Sequence, residues 1–365
     1  MFEKLEKFLD ELRELPVPGN DCIVCRKGEV IYRHTAGFAD REKKLPMTGN
    51  ERYQIFSCSK LITCCAALQL WEQGKFQLDD PLYLYLPEYE NMTVRTPEGI
   101  RKAQQKITIR HLFTMTAGFN YNMTPPAIRR AYDATKGSCP TREMIRALAE
   151  EPLDFEPGTR WQYSLCHDVL AAVVEVVSGV EFNQYVTGSI FDVLGMKNTT
   201  FLLPASEWHT LIPLCREIPA DDHLITLNGI GNYGISPYRL GPCYASGGAG
   251  CVSTLEDYNK LLQAFCSGEK LLKRSTIDMM RTDELTDEQQ KDTWNGPYYS
   301  YGLGVRCPRR GYSERSDFGW GGAAGAYFCI DPERELTVLY MQHVCASSAA
   351  PRRTRIIEYV NEALS

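Results

Sequence analysis

The stretch YQIFSCSKLITCCAALQLW, from Tyr53 to Trp71, constrains the fold more than any other part of the sequence. It begins like the end of a strand and continues as an apolar run with no polar stripe, which predicts a helix buried on all sides. Ser57 stands at the start of this helix and Lys60 follows one turn later. Either the lysine reaches water along its aliphatic stem, or its amine has a function inside the protein.

The spacing of Ser57 and Lys60 fits nucleophilic catalysis. Positions three apart on a helix share one face, so the Lys60 amine can reach the Ser57 hydroxyl. The unpaired N–H groups of a helix N-terminus favour a developing anion beside Ser57. Burial favours the neutral form of an amine, which is the form that accepts a proton from serine. The same spacing at Ser267–Lys270 lies in a polar turn, and we interpret it as a surface coincidence.

Composition excludes several classes of protein. Of 365 residues, 44% are hydrophobic and 24% are charged, which is ordinary for a globular chain of two or three domains or one large α/β unit. A net charge of −6 without a basic stripe argues against nucleic-acid binding. The start, MFEKLEKFLDELREL, predicts an amphipathic helix rather than a secretory signal, and no apolar run is long enough to cross a bilayer. We expect a cytoplasmic protein without a membrane partner; the composition does not indicate its oligomeric state.

The fourteen cysteines are scattered, which favours reduced thiols over a disulfide framework. Cys22 and Cys25 fall in an alternating segment that predicts a β-hairpin turning at Lys27-Gly28. Positions three apart on a strand point to opposite faces, so this pair is not expected to bind a metal or to act in redox chemistry. We expect neither a metal nor an organic cofactor.

The order of segments predicts an α+β fold in two parts. Residues 1–75 and 230–365 contain strand-like runs and terminal helices, and we assign them to one discontinuous sheet domain. Residues 76–229 are richer in helical and loop patterns and are expected to form an all-helical subdomain. Within the second part of the sheet domain, a glycine-rich loop precedes a helix for which Thr254 is the predicted N-cap.

Five segments give the chain a resemblance to a known superfamily. They are SCSK, TIRHLFTMTAGF, FEPGTRWQYSLCHDVLAAVVEVVSG, FDVLGMKNTTF and FGWGGAAGAYF, in that order along residues 19–344. The set resembles the serine β-lactamase-like proteins, which include penicillin-binding proteins, class C β-lactamases, D-amino-acid peptidases and family VIII carboxylesterases. The resemblance implies a transpeptidase-like fold, in which an antiparallel sheet is flanked by helices and an inserted all-helical subdomain places the active site at the junction.

The resemblance also implies roles for individual residues. Ser57 would be the acylated nucleophile and Lys60 its base partner, while Tyr163 would relay a proton to the leaving group. Which of Lys60 and Tyr163 is the formal base stays open. The third motif, Trp320-Gly321-Gly322, would lie on the strand that borders the site. By the family's geometry, the backbone N–H groups of Ser57 and Ala323 would form the oxyanion hole.

Two departures from the family pattern bear on the substrate. Where the family usually has Tyr-x-Asn, this chain has Leu165 at the third position, and Trp320 replaces the usual lysine or histidine. The missing groups would hold the amide and carboxylate of a β-lactam, so Leu165 and Trp320 favour small esters instead. Arg306 or Arg315 could still replace the lost cation, which keeps a peptide-like substrate open.

Other motifs carry weaker predictions. Tyr121 and Asn122 follow the TAGF turn and are expected to border the pocket, whereas His111 is interpreted as structural. A G-x-S-x-G elbow, a nucleotide-binding glycine loop and histidines at metal-ligand spacing (His209 and His223 have no such partner) are all absent from the sequence.

These observations predict a serine hydrolase that acts on a small-molecule ester, or an amide, through a Ser-Lys-Tyr acyl-enzyme mechanism. A β-lactamase, a D-amino-acid peptidase or an acyltransferase of the same fold are the alternatives within enzymes. Outside enzymes, the alternative is a ligand-binding or acyl-trapping protein that does not turn over.

Overall fold

The computed structural model describes residues 1–12, 17–218, 223–226, 239–312, 314–345 and 349–365. The helices are α1 (Glu3–Glu11), α2 (Ser59–Glu72), α3 (Ile109–Thr114), α4 (Pro126–Ala134), α5 (Thr141–Leu148), α6 (Cys166–Ser178), α7 (Phe182–Val186), α8 (Asp192–Leu194), α9 (Leu255–Ser267), α10 (Arg274–Met280), α11 (Asp287–Gln290) and α12 (Ala349–Leu364). The strands are β1 (Gly19–Arg26), β2 (Glu29–Asp40), β3 (Leu45–Pro46), β4 (Tyr53–Gln54), β5 (Thr93–Thr96), β6 (Gly99–Lys102), β7 (Cys215–Ile218), β8 (His223–Thr226), β9 (Val252–Ser253), β10 (Tyr299–Tyr301), β11 (Arg306–Pro308), β12 (Phe318–Gly321), β13 (Tyr327–Asp331), β14 (Leu336–Gln342) and β15 (Val344–Cys345).

An eight-stranded antiparallel sheet organises the described chain, in the order β10-β11-β12-β13-β14-β1-β2-β3. Both ends of the chain contribute to it, because β1 from the N-terminal part pairs with β14 from the C-terminal part. Helices cover both faces. The α+β prediction, with an antiparallel sheet built from the two ends of the chain, is confirmed.

The two faces of the sheet bury different clusters. One face packs against α1 and α12, with Leu5, Leu9, Ile356 and Val360 all fully buried. The other face packs against α9 and α2 and merges with the core of the helical part. The predicted amphipathic N-terminal helix is therefore one layer of the fold, and its apolar side closes the sheet.

The first hairpin shows how local sequence sets this geometry. Lys27 and Gly28 both have positive φ, which is the backbone of a two-residue turn that matches the twist of its strands. The turn therefore lies where the sequence predicts it. Cys22 belongs to the cluster under α1 and α12, and Cys25 to the main core, so the two thiols lie on opposite faces as expected. All fourteen cysteines are free thiols, and only Cys243 and Cys345 are not buried.

The part between the two halves of the sheet contains strands as well as helices. Helices α3 to α8 lie there, but so do the β5–β6 hairpin and the antiparallel pair of β7 and β8, and β7 pairs in parallel with β15 from the C-terminal part. This part is therefore not all-helical, because four of its segments pair as strands. The division at 76–229 stays a prediction, and its second boundary lies outside the described residues.

Within the described residues, no single helix is long and apolar enough to cross a bilayer. The segment Cys166–Ser178 and the following Phe182–Leu194 pass on length and composition only when taken together, and they are bent by 80° at their junction. The first nine residues of α6 are buried in the main core. The apolar character of α6 is thus accounted for by packing inside the protein.

His111 closes the first turn of α3. The backbone N–H of Thr108 donates to His111 Nδ1 at 3.2 Å, and the His111 N–H donates to Thr108 Oγ1 at 3.3 Å, which is a reciprocal capping box. A ring nitrogen accepts a hydrogen bond only while it carries no proton. Burial lowers the pKa of His111 to about 4, with a smaller contribution from Arg110. The structural role expected for this residue agrees with these contacts.

His111 should make the fold less stable in mild acid. Because its folded-state pKa lies below the ordinary 6.5, the unfolded chain binds the proton first as the pH falls, so stability is lost from about pH 6.5 towards about pH 4. One such group contributes up to about 1.4 kcal/mol per pH unit. His111→Gln keeps an acceptor at the same position without titrating. Urea unfolding between pH 7 and 4.5 should show a shallower pH dependence for His111→Gln than for the parent or for His209→Gln, which changes an exposed histidine. Identical slopes in all three proteins would contradict the assignment.

Candidate active site

Ser57 lies in a single 3-10 turn, Phe56–Cys58, directly before α2. Phe56 has φ +46°, a left-handed conformation that costs energy for a residue with a side chain. The surroundings hold this turn: β4 immediately precedes it and pairs with β9, and Ser59 Oγ donates to the Phe56 carbonyl oxygen at 2.5 Å. Ser57 is thus presented at a fixed position at the start of a buried helix.

Lys60 is fully buried, which excludes the interpretation that its amine reaches water. Its Nζ atom donates to the carbonyl oxygen of Gly248 at 2.6 Å and lies 3.3 Å from Ser57 Oγ and 3.4 Å from the Tyr121 hydroxyl. The amine also lies 4.5 Å from the centre of the Tyr163 ring. The helix that was predicted to be buried on all sides therefore carries Lys60 into contact with Ser57 one turn away and with three groups from distant parts of the chain.

Tyr163 completes a cluster of three reactive groups. Its hydroxyl donates to Ser57 Oγ at 2.5 Å, and the indole N–H of Trp320 approaches the same phenolic oxygen at 3.4 Å. Ser57 Oγ is therefore in contact with both Lys60 and Tyr163. Two groups that can exchange a proton with a serine hydroxyl thus meet at Ser57 Oγ.

A buried carboxylate, which sequence reasoning missed, stands behind Lys60. Asp168 is fully buried in the first turn of α6, and its Oδ1 accepts a hydrogen bond from the Tyr244 hydroxyl at 2.9 Å. Burial raises the pKa of Asp168, and the Ser246 hydroxyl and the nearby Lys60 oppose this effect. A Cβ atom added to Gly248 would lie 2.5 Å from Asp168 Oδ2 and 3.4 Å from Lys60 Nζ, so the two ionisable groups meet at this glycine.

The third motif borders the site on strand β12 and the turn that follows it. A Cβ atom added to Gly322 would lie 2.3 Å from the Ile55 carbonyl oxygen, so only a glycine lets this turn approach the segment before Ser57. Ala323 comes next, is exposed, and lines the same cavity as Ser57. The two residues whose N–H groups the resemblance assigns to the oxyanion hole thus lie at one cavity.

The cavity over Ser57 has a volume of about 840 Å³. Aromatic rings form much of its wall: Tyr163 stacks between Tyr121 and Trp320, with ring centres 5.5 and 5.7 Å apart, and Trp294 meets Tyr163 edge-on at 5.2 Å. The residues of the wall are Ser57, Tyr121, Tyr163, Trp294, Asn295, Tyr298, Tyr299, Arg306, Arg315, Trp320, Gly321, Gly322, Ala323, Tyr327, Arg353, Thr354, Ile357, Glu358 and Asn361.

Two cations considered from the sequence lie in this wall, but both have partners. Arg306 donates to Asp317 Oδ2 at 2.7 Å and stacks over the Tyr299 ring at 3.8 Å. Burial alone would raise the pKa of Asp317, but the Arg306 guanidinium holds that pKa below its ordinary value. Arg315 donates to the Tyr299 hydroxyl at 3.0 Å. Arg306 is thus committed to a carboxylate and is a poor substitute for the missing cation of the third motif.

The structure does not bring every predicted residue to the cavity. Leu165 is buried in the main core, where its N–H donates to the Asn120 carbonyl oxygen. Asn122 is exposed and caps a turn through Thr124, outside the described cavity wall. Among the described residues, no cluster of histidine, cysteine and carboxylate side chains could hold a metal ion.

Several wall residues gave no signal in the sequence. Trp294 and Asn295 lie in a segment that is polar and rich in turns, and Arg353 lies on the C-terminal helix, nearly 300 residues after Ser57. Trp294 is 63% exposed, and nothing in the polar segment around it indicated that it would line the cavity.

Comparisons with known proteins agree with this geometry. The chain matches the family model described as Beta-lactamase over residues 5–361. It is 30% identical over 360 residues to Esterase EstB of Burkholderia gladioli, covering 93% of this chain and 89% of the esterase.

Solved structures give the same result. The structure titled EstCE1, a hydrolase with promiscuous acyltransferase activity, superimposes with a TM-score of 0.80 at 27% identity and covers 98% of both chains. A simvastatin synthase (LovD) mutant from Aspergillus terreus superimposes with a TM-score of 0.81 at 23% identity, over 100% of this chain and 98% of the synthase. This second likeness shows a shared fold only.

The family match covers nearly the whole chain, and the serine, lysine and tyrosine expected from the ordered motifs are in contact: Lys60 and Tyr163 both reach Ser57 Oγ, which lines the cavity. The chain has the β-lactamase/transpeptidase fold and belongs to the beta-lactamase family of serine hydrolases.

Proposed function

We propose that the protein hydrolyses small carboxylic esters through an acyl-enzyme on Ser57. The observation that carries this proposal is the contact of Ser57 Oγ with both Tyr163, at 2.5 Å, and Lys60, at 3.3 Å, at the base of a cavity walled by aromatic rings. Such a wall favours apolar acyl or alcohol groups. The similarity to an esterase supports the same substrate class.

The chemistry divides into two steps. Ser57 Oγ attacks the ester carbonyl carbon and gives its proton to the Lys60–Tyr163 pair; the bond to the alcohol oxygen then breaks, and the pair returns the proton to the departing alkoxide. Water attacks the acyl-enzyme in the same way, releases the carboxylic acid and restores the Ser57 hydroxyl. Both tetrahedral intermediates place an oxyanion between the N–H groups of Ser57 and Ala323.

The third motif favours esters over β-lactams in this proposal. Trp320 stacks on Tyr163 and lines the cavity, so the third motif contributes an apolar ring where a lysine or histidine would offer a partner for a carboxylate. Arg306 is occupied by Asp317. The third motif therefore supplies shape and apolar surface rather than a dedicated partner for the carboxylate of a β-lactam.

Transfer of the acyl group to an alcohol is the second candidate function. The similarity to a hydrolase titled as having promiscuous acyltransferase activity supports it, and the cavity of about 840 Å³ has room for an acceptor beside the acyl group. The two functions share the acyl-enzyme and differ only in the molecule that resolves it. With p-nitrophenyl butyrate as donor and 1-butanol as acceptor, a transferase would release mainly butyl butyrate, and a hydrolase mainly butyrate, as measured by gas chromatography.

Removal of the Ser57 hydroxyl should abolish turnover. We expect Ser57→Ala to lower the steady-state release of nitrophenol from p-nitrophenyl butyrate by at least about 1,000-fold, because the acyl-enzyme cannot form. Ser267→Ala is a matched control, since this exposed serine has the same spacing to a lysine. Equal rates for the parent and Ser57→Ala would contradict the proposal, and a single burst without further turnover would indicate an acyl-trapping protein.

A methyl group at position 248 should disturb Lys60. Gly248→Ala would place a Cβ atom against Asp168, Tyr121 and Lys60, and the displacement of the lysine should lower kcat for p-nitrophenyl butyrate by about 10- to 100-fold. Gly188→Ala is the control, because nothing lies within 4 Å of the added atom. If kcat for Gly248→Ala matches the parent while both variants keep the parent's melting temperature, the position of Lys60 does not limit the reaction.

A further inference from the structure

Arg353 on α12 reaches the turn that follows strand β12. Its Nη2 atom donates to the carbonyl oxygen of Gly322 at 2.5 Å. Arg353 also packs closely against Gly321, because a Cβ atom added to this glycine would lie 2.5 Å from Arg353 Nη1. The C-terminal helix is thus joined by a charged hydrogen bond to the residue that precedes Ala323.

The charge of Arg353 is not neutralised by an acid. No carboxylate of the described residues lies within ion-pair distance of it, and its buried Nε atom has no hydrogen-bond partner there. Burial lowers the pKa of this guanidinium, and the groups that oppose the effect are Cys58 and tyrosines. Arg353 is partly buried and lines the cavity, so its guanidinium is partly removed from water and needs polar groups in place of that water; the carbonyl oxygen of Gly322 is one of them.

The bond to Gly322 bears directly on the oxyanion hole. The carbonyl of Gly322 and the N–H of Ala323 belong to one planar trans peptide unit, so they point in opposite directions and turn together. A group that fixes the carbonyl therefore fixes the N–H. A hydrogen bond from a cation to the carbonyl also polarises the amide and makes its N–H a stronger donor.

The turn needs such a restraint. Gly321 and Gly322 lack side chains, and Gly325 has φ +98°, so the local backbone has few constraints of its own. Two backbone bonds define the turn: Gly322 N–H to the Ala326 carbonyl oxygen at 2.7 Å, and Gly325 N–H to the Gly322 carbonyl oxygen at 3.0 Å. Arg353 is thus the second donor to the same oxygen and the only one of the two that carries a charge.

We propose that Arg353 is a positioning residue that orients and polarises the Gly322–Ala323 peptide, so that the Ala323 N–H is held ready for the oxyanion. The proposal rests on the hydrolytic function proposed above and adds a residue to it. Arg353 acts through the peptide and takes no part in bond making or breaking. A purely structural role, which would fasten α12 to the sheet, predicts a change in stability alone.

The test compares three substitutions of Arg353 with a control on the same helix. Arg353→Met removes the charge and the donors, Arg353→Gln keeps a neutral donor, and Arg353→Lys keeps a charged donor. Arg355→Met is the control, because Arg355 is exposed and its side chain makes a surface ion pair with Glu358. For each protein, kcat and KM for p-nitrophenyl butyrate, the inhibition constant of phenylboronic acid and the melting temperature would be measured. Phenylboronic acid forms a tetrahedral adduct with a serine and places an oxygen in the oxyanion hole.

We expect Arg353→Met to lower kcat by about 10- to 100-fold, less than the loss of an oxyanion donor itself, with KM within about twofold of the parent. Phenylboronic acid should lose affinity by a similar factor. Arg353→Gln should be intermediate and Arg353→Lys the most active of the three, while Arg355→Met should match the parent.

Two results would overturn the proposal: unchanged kcat in the Arg353 variants, or a lower kcat with unchanged affinity for phenylboronic acid. If Arg353→Met does not fold, the two other variants test the proposal. Arg353→Lys should then have a higher kcat than Arg353→Gln and should bind phenylboronic acid more tightly. Boronate binding does not require turnover, so a parent that binds phenylboronic acid but hydrolyses no ester would refute the hydrolytic function and leave the affinities of the variants as the test of Arg353. A parent that neither binds phenylboronic acid nor hydrolyses the ester would refute both.

Discussion

The structure depends on the burial of one amine. Lys60 lies inside the protein, and a buried ammonium or amine is stable only where polar groups replace the water it has lost. One partner, Ser57, lies a turn away, and three come from distant parts of the chain: Tyr121 and Tyr163 from the inserted part, and the carbonyl of Gly248 from the loop before β9. The contacts that satisfy the amine therefore join the two parts of the fold at the candidate site.

The glycine loop before β9 follows from the same constraint. A Cβ atom added to Gly247 would lie 2.4 Å from the His167 carbonyl oxygen, and one added to Gly248 would lie 2.5 Å from Asp168. Both glycines allow the loop to pack against α6 closely enough for the Gly248 carbonyl to reach Lys60. The spacing of its glycines does not match a nucleotide-binding loop. In the structure the loop supplies one carbonyl oxygen to Lys60 and leaves room for the Asp168 side chain, and both contacts involve residues that are distant in sequence.

Local patterns in the sequence were sufficient for part of this account. The apolar run around Lys60, the turn at Lys27-Gly28 and the N-cap at Thr254 are each set by neighbouring residues, and each forms where it was predicted.

Leu165 shows the opposite case. Its place in a motif suggested a substrate contact, but its side chain turns into the core, and motif position alone carries no information on that rotation. Asp168, Trp294 and Arg353 reach the site only through long-range packing, so no periodicity or spacing could have indicated them.

The site has a buried side and a side that faces the cavity. Lys60 and Asp168 are fully buried, whereas rings such as Trp320 and Trp294 line the cavity together with four charged side chains. Exclusion of water around a reacting carbonyl strengthens the electrostatic contacts to an oxyanion. Arg353 contacts the turn after β12 through the carbonyl oxygen of Gly322. In the proposed reaction, the wall sets the preference for esters and the buried cluster around Lys60 moves the proton.

The central claim is that Ser57 becomes acylated during turnover. The most direct measurement is to mix the protein briefly with p-nitrophenyl butyrate, quench the reaction with acid and map the adduct by peptide mass spectrometry, with Ser57→Ala treated identically. The account predicts a butyryl group on Ser57 in the parent and no turnover-dependent adduct in the variant. Turnover with the adduct on another residue, or with the same adducts in both proteins, would contradict it.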